Sequence, residues 1–348
     1  MNRHSSIGGY PTARGRATRL LFGATATVAL AIGMAGTGAA TADADTVMDP
    51  VSLGADPVGV AVSVDGTRVY VATIDNDSVS VIETATNTVV DTIPVGAGAV
   101  GVAVSADGTR MYVTNRGDSV AVIDTATNKV ADTVTVGDDP IGVAVTPDGT
   151  QVYVTNRGDD SVSVIDTATN SAVDIDMVGE GPIDLAVTPD GTQVYVANSR
   201  DDSVSVIDTA TNTVAGTVTV GDSPEGVAVT PDGNRVYVTN NDDDSVSVID
   251  TATNTVTEIG AVGDGPLGVA VTPDGSRVYV TAFKDDSVSV IDTATNTVVE
   301  VLDVGDGPEG VAVDPDGSRA YVTNNNDATV SVIDIDNAKC TGSLCFGS

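Results

Sequence analysis

Apolar and polar positions alternate along most of this chain in short bursts. The stretch 224–265, PEGVAVTPDGNRVYVTNNDDDSVSVIDTATNTVTEIGAVGDG, holds four of them. The first, 226–230, is closed by Pro231-Asp232-Gly233. The second, 235–239, sets Val236 and Val238 on one face and Tyr237 on the other. The third, 245–250, alternates Ser245 and Ser247 with Val246 and Val248, and 255–262 completes the set. Period-two alternation in runs rich in β-branched residues predicts strands, and Pro-Asp-Gly and Thr251-Ala-Thr-Asn254 predict tight turns between them. Gly233 and Asn254 stand where such turns need a positive φ. No helical period interrupts the pattern.

The unit repeats. Gly-Val-Ala-Val begins at Gly59, Gly101, Gly142, Gly226, Gly268 and Gly310, with Asp184-Leu-Ala-Val in the remaining place. The spacings are 42, 41, 42, 42, 42 and 42 residues, the short step arising where Asp118-Ser119 replaces Asp-Asp-Ser. A period of this length with four strands per unit predicts an all-β, seven-bladed β-propeller with four antiparallel strands per blade. One sheet cannot bury both faces alone, whereas radial stacking gives each face a neighbour. Residues 45–54, DTVMDPVSLG, align with 87–96, NTVVDTIPVG, and so read as a fourth strand without its own first three. Residues 308–334 supply three strands and stop. The N-terminal strand is therefore expected to complete the last sheet, around 331–333, and close the ring, removing an exposed strand edge.

Tyr70, Tyr112 and their equivalents down to Tyr321 occur once per repeat, mid-way along the second strand, where one bulky residue is expected to fill the same inter-blade gap each time. The tetrapeptide Tyr-Val-Thr-Asn is literal at Tyr112, Tyr153, Tyr237 and Tyr321, and one substitution away at Tyr195-Val-Ala-Asn198. With the following Ser-Val-Ser-Val-Ile-Asp-Thr-Ala-Thr-Asn it resembles the YVTN family of β-propeller repeats over roughly residues 45–334. Tyr70-Val-Ala-Thr73 and Tyr279-Val-Thr-Ala282 depart from the motif. The resemblance implies secreted or cell-surface proteins, including surface-layer and adhesive ones, with lactonase-like and lyase-like enzymes among related seven-bladed propellers.

Residues 1–42 differ in composition. Arg3, Arg14, Arg16 and Arg19 precede a short, Gly-interrupted apolar run and then Ala40-Thr-Ala42 or Ala42-Asp-Ala44, which reads as a secretory signal peptide rather than a permanent membrane span. The propeller is assigned to 43–336, and 337–348 form a tail holding the two cysteines, Cys340 and Cys345, where export would favour a local disulfide. Loss of the four Arg would take the net charge from −34 to −38. So acidic a chain repels phosphate backbones, and no nucleic-acid partner is expected. The recurrence of Asp at fixed turn positions points to turn chemistry, with a salt-adapted surface or bound cations as the other readings.

Candidate chemistry lies where one copy breaks the pattern. The position after the loop proline is Val58, Val100, Ile141, Ile183 or Leu267 in five repeats but Glu225 and Glu309 in two; the next is Gly in six and Asp184 in one. On the loops joining second and third strands, Arg116, Arg157, Arg200, Phe283 and Lys284 stand among Asn and Asp. In a propeller these positions share one rim of the central channel. The only histidine, His4, lies in the removable segment, so a Ser-His-Asp triad, a Cys-His pair and a His-ligated zinc are unavailable to the mature chain. No cofactor is expected; Ca²⁺ is the one ion these carboxylates, or 240–244, would suit. The preferred reading is a monomeric, non-catalytic scaffold that binds a protein or glycan at the cell surface through the rim. The alternatives are a metal-assisted lactonase-like or lyase-like enzyme using channel-mouth carboxylates, and a structural surface-layer or adhesive protein.

Overall fold

The computed structural model describes residues 44–336. They form seven antiparallel sheets of strands hydrogen-bonded in sequence order, and there is no helix among the described residues. Blade 1 comprises Pro57–Val62, Arg68–Thr73, Ser78–Glu83 and Thr88–Pro94. Blades 2 to 6 begin at Ala99, Pro140, Pro182, Pro224 and Pro266, and blade 7 holds Pro308–Val313, Arg319–Asn324 and Thr329–Asp334. First strands of successive blades are neighbours around the centre. Strand ends differ slightly from expectation. The first strand of blade 5 is Pro224–Val229, the second runs on to Asn240, and the fourth is only Val256–Gly260.

The Val-Tyr-Val alternation has a direct cause in the stacking. Tyr70 packs forward with Met111, Val113 and Ile123 of blade 2, while Val69 and Val71 pack backward with Tyr321, Val330 and Val332 of blade 7. Seven such cores, one per blade interface, complete the circle. Every repeat tyrosine from Tyr70 to Tyr321 is at most 2% exposed, so each fills a gap between blades, as expected. The hydroxyl adds a tie: Tyr153 donates to Asn212 Oδ1 at 2.6 Å and Tyr237 to Asn296 Oδ1 at 3.1 Å, each acceptor being the turn asparagine of the next blade. Gly233 (φ 73°) and Asn254 (φ 56°) hold the left-handed conformations that their turns require.

The N-terminal strand closes the ring. Thr46 and Val47 pair with Asp334 and Ile333, and Val51 and Ser52 with Val330 and Thr329. The strand is split in two around Pro50, which has no N–H to give to a ladder. Blade 7 has no turn asparagine of its own to receive Tyr279, and Asp45, which aligns with Asn87, takes that place. The Asp45 carboxylate is buried and accepts from Tyr279 Oη at 2.5 Å, Arg277 Nη1 at 2.8 Å and the Asp336 backbone N–H at 2.8 Å.

Most of the repeated acids are occupied by backbone. The aspartate of each Asp-Gly turn accepts from the chain two residues on, as Asp148 does from Thr150 N–H at 3.0 Å, and Asp250, ending a third strand, accepts from Thr253 N–H three residues on at 2.9 Å. In the loops between second and third strands, Asp243 Oδ2 accepts from Asp222 N–H at 2.7 Å and Asp244 Oδ1 from Gly265 N–H at 2.9 Å. Hydroxyl donation from Thr146 to Asp148 and from Thr253 to Asp250, together with those backbone bonds, holds both below the ordinary carboxylate range. Turn chemistry thus accounts for most of the acidic repeat positions.

Candidate functional site

Each first strand enters its sheet through a β-bulge. In blade 5, Pro224 faces Asn240 and Val227 faces Val238, so Glu225 and Gly226 oppose a single residue, Thr239; the same shift recurs in all seven blades. A bulge re-aims the side chains it carries, and these lie at one mouth of the channel. The entry loop and the loop joining second to third strand are clamped together there, since the N–H of Arg116 donates to Gly98 O, that of Arg157 to Asp139 O and that of Phe283 to Gly265 O.

The glycine of the bulge is needed for close approach. A Cβ at Gly226 would meet Leu267 O at 2.3 Å, and one at Gly142 would meet Ile183 O at 2.7 Å. The threonine of Tyr-Val-Thr-Asn spans the same gap. Thr155 Oγ1 accepts from Gly142 N–H at 2.8 Å and donates to Ile183 O of blade 4 at 2.6 Å; Thr239 does likewise with Gly226 and Leu267. Blade 4 departs at both positions, with Asp184 for the glycine and Ala197 for the threonine. Asp184 Oδ2 instead accepts the Val227 N–H of blade 5 at 3.0 Å, so a carboxylate bridges where a hydroxyl does in blades 2, 3, 5, 6 and 7; blade 1 has Ala72 at that position. Sequence reading singled out Asp184 but not Ala197, whose signal was the third letter of the motif in the same repeat.

Glu225 and Glu309 occupy the bulges of blades 5 and 7. Neither side chain makes a hydrogen bond or an ion pair among the described residues. Asp184, Glu225 and Glu309 are half-buried by surface, yet protein surrounds the little water they touch, so desolvation raises all three: Asp184 to about 6, Glu225 to about 7 and Glu309 to about 8. The groups feel one another. Arg157 lowers Glu225 while Asp184 and Asp242 raise it; Glu225 and Asp56 raise Glu309 while Arg116 lowers it.

The nearby cations are committed elsewhere. Arg116 Nε and Arg157 Nη2 both hold Asp139, at 2.9 and 2.6 Å, and Lys284 Nζ folds back onto Asp264 at 2.7 Å. Asp139, which sequence reading passed over among many loop aspartates, is the residue that joins the two arginines. Arg200 lies one position further out on its loop, its aliphatic stem against Gly181. Phe283 holds the inner loop position of blade 6, between Glu225 and Glu309, and its Cε2 lies 3.1 Å from where a Cβ on Gly307 of blade 7 would sit. Among the described residues no group of three or more His, Cys, Asp or Glu is placed to hold a metal ion. In 240–244, the other stretch whose oxygens would suit Ca²⁺, Asp243 and Asp244 already hold backbone N–H groups. The expected signal peptide and the expected Cys340–Cys345 disulfide lie outside the described residues.

Two family models match. One, described as lactonase, 7-bladed beta-propeller, covers residues 120–217 and 165–271; the other, YNCE-like beta-propeller, covers residues 47–149. By fold the chain is a seven-bladed β-propeller. The models support that grouping without singling out the YVTN repeats. A solved structure, hydrazine synthase of Kuenenia stuttgartiensis, is similar at 24% identity and a TM-score of 0.75, over 80% of this chain and 96% of that one. At that identity the likeness speaks for the fold alone. No curated protein matches the sequence.

Proposed function

We propose that this seven-bladed propeller, a YVTN-type surface protein, is a non-catalytic binding scaffold that works outside the cell and takes a protein or glycan at the channel mouth. The observation that carries this reading is the broken symmetry there. At positions that carry Val, Ile, Leu or Gly in the other blades, three enclosed carboxyl groups lie near an arginine pair, and Glu225 and Glu309 have no hydrogen-bond or ion-pair partner among the described residues. Polar groups converging in a cleft and held by rigid strands are the usual basis of a ligand site. The test is capture of partners from an envelope extract and on a glycan array. Asp184→Ala with Glu225→Ala should keep the fold and lose the partner that the wild type retains. An unchanged set of bound species would refute the reading.

The lactonase-type match favours a second reading, a metal-assisted lactonase-like or lyase-like enzyme using the same carboxylates. The donor geometry supports it less, because those carboxylates do not gather into a three-ligand set. Turnover on a lactone panel that chelator abolishes would establish this reading in place of the first.

A further inference from the structure

The ligand class at this mouth follows from what separates the two unpartnered carboxylates. Resting on the binding reading above, we propose that the gap between Glu225 and Glu309, over Leu267 and Phe283, receives one basic side chain, lysine or arginine, presented by a partner protein. Blade 6 stands between the two glutamates, and it is the blade whose mouth is apolar at both positions. Leu267 occupies its bulge and Phe283 its inner loop position, each half-buried. An aliphatic and an aromatic residue on the blade that stands between two glutamate-bearing blades match a side chain with an apolar stem and a cationic head.

The charges around the gap leave that place for an incoming cation. Arg157, Asp184 and Asp242 act on Glu225 through their charge, as Glu225, Asp56 and Arg116 act on Glu309. Both arginines spend their nearest contacts on Asp139, and Lys284 is tied to Asp264, so among the described residues no cation touches either glutamate. Glu225 raises Glu309 through its charge, and a cation placed near both would relieve that repulsion. A bare metal ion suits the gap poorly. The two groups sit on blades that are not adjacent, and among the described residues no third acidic ligand closes in to make a coordination set. A guanidinium or ammonium on a long stem has the reach and several donors to share between them.

The probes are acetyl-Gly-Gly-Arg-Gly-Gly-amide, its Lys counterpart and its norleucine counterpart, titrated into the full chain at pH 8 and pH 5 and followed by NMR shifts and calorimetry. The Arg and Lys peptides should bind at least 10-fold more tightly than the norleucine peptide. Glu225→Gln with Glu309→Gln should cost that preference and Phe283→Ala should weaken it several-fold. Glu83→Gln, on the opposite rim, should leave it unchanged. All three variants should melt within a few degrees of wild type. Binding should weaken at pH 5, where the carboxyl groups carry protons. Equal affinity for the norleucine peptide, indifference to the double substitution, or displacement of the Arg peptide by submillimolar Ca²⁺ would overturn the proposal. If envelope partners still depend on Asp184 and Glu225 while the peptides show no preference for charge, the binding mouth stands and its cationic ligand falls. If partner capture ignores the mouth altogether, both fall.

Discussion

The ring is held shut at one carboxylate, and removing it gives the sharpest test of how the circle is stabilised. In Asp45→Ala the buried acceptor of Tyr279, Arg277 and the Asp336 N–H disappears. Breaking a fully buried ion pair from one side costs about 3–5 kcal/mol. Arg277, with a quarter of its side chain exposed, can recover some hydration, which lowers that figure. Tyr279 cannot, and a buried hydroxyl left without its acceptor costs about 1–3 kcal/mol. A total of about 3 kcal/mol follows, and at about 2 °C per kcal/mol for a domain of this size the melting temperature should fall by about 6 °C. Asp45→Asn is the informative control. Asn212 and Asn296 already receive a repeat tyrosine as neutral amides. The Asn variant should therefore keep the Tyr279 bond, lose only the charge opposite Arg277, and cost about 1 kcal/mol. Thermal and urea unfolding of both variants, with Tyr279→Phe to complete a double-mutant cycle, measure this directly. A drop in Asp45→Asn as large as in Asp45→Ala, or none in either, would refute the idea that Asp45 stands in for a missing turn asparagine.

Three further outcomes are expected. Glu225 and Glu309 hold protons in the folded chain up to about 7 and about 8, against about 4.3 when unfolded, so the native state binds more protons across that window and stability falls as pH rises through it. Glu309→Gln should thus gain stability over wild type toward pH 9, by about 1–2 kcal/mol with channel water discounted, and gain nothing below pH 4; a gain that does not vary with pH would contradict this. Asp184→Gly should be improved by adding Ala197→Thr, which rebuilds the hydroxyl bridge seen at Thr155 and Thr239; coupling of about 1 kcal/mol between the two sites in melting experiments is the measure, and simple additivity the counter-result. Gly226→Ala drives a methyl into Leu267 O at 2.3 Å and should cost about 3 kcal/mol or prevent folding, whereas Gly216→Ala, with open space around it, should stay within about 1 kcal/mol in the same assay.

The repeat made the architecture readable because each blade solves the same packing problem. The period, the Val-Tyr-Val alternation and the likeness of 45–54 to 87–96 lead to a closed seven-bladed wheel, and the pairing of Val47 with Ile333 and Val51 with Val330 agrees. The break at Pro50 was visible as a residue, but its effect on a four-residue ladder was not drawn from it. The third letter of the motif was harder. Thr155 bonds to its own blade thirteen residues back and to the next blade twenty-eight residues on, so its role exists only once two blades are stacked. The odd residues at 184, 225 and 309 were found by comparing copies. Whether they ligate one ion or merely share a field depends on side-chain reach across a channel, which spacing along a chain does not encode. Asp139 shows the same limit: one loop aspartate among dozens, it is distinguished only by two arginines arriving from neighbouring blades.

Residues 45 and 336 touch, with the Asp336 N–H 2.8 Å from Asp45 Oδ1, at the perimeter of blade 7 and at the end of the blade remote from the mouth. The order in which the polypeptide visits the seven sectors is therefore incidental to the finished object. Joining those two points with a short linker and opening the chain at another peripheral turn, such as Ala126-Thr127, should yield a circular permutant with the same cores, the same glutamates facing the same phenylalanine, and a seam relocated to a different sector.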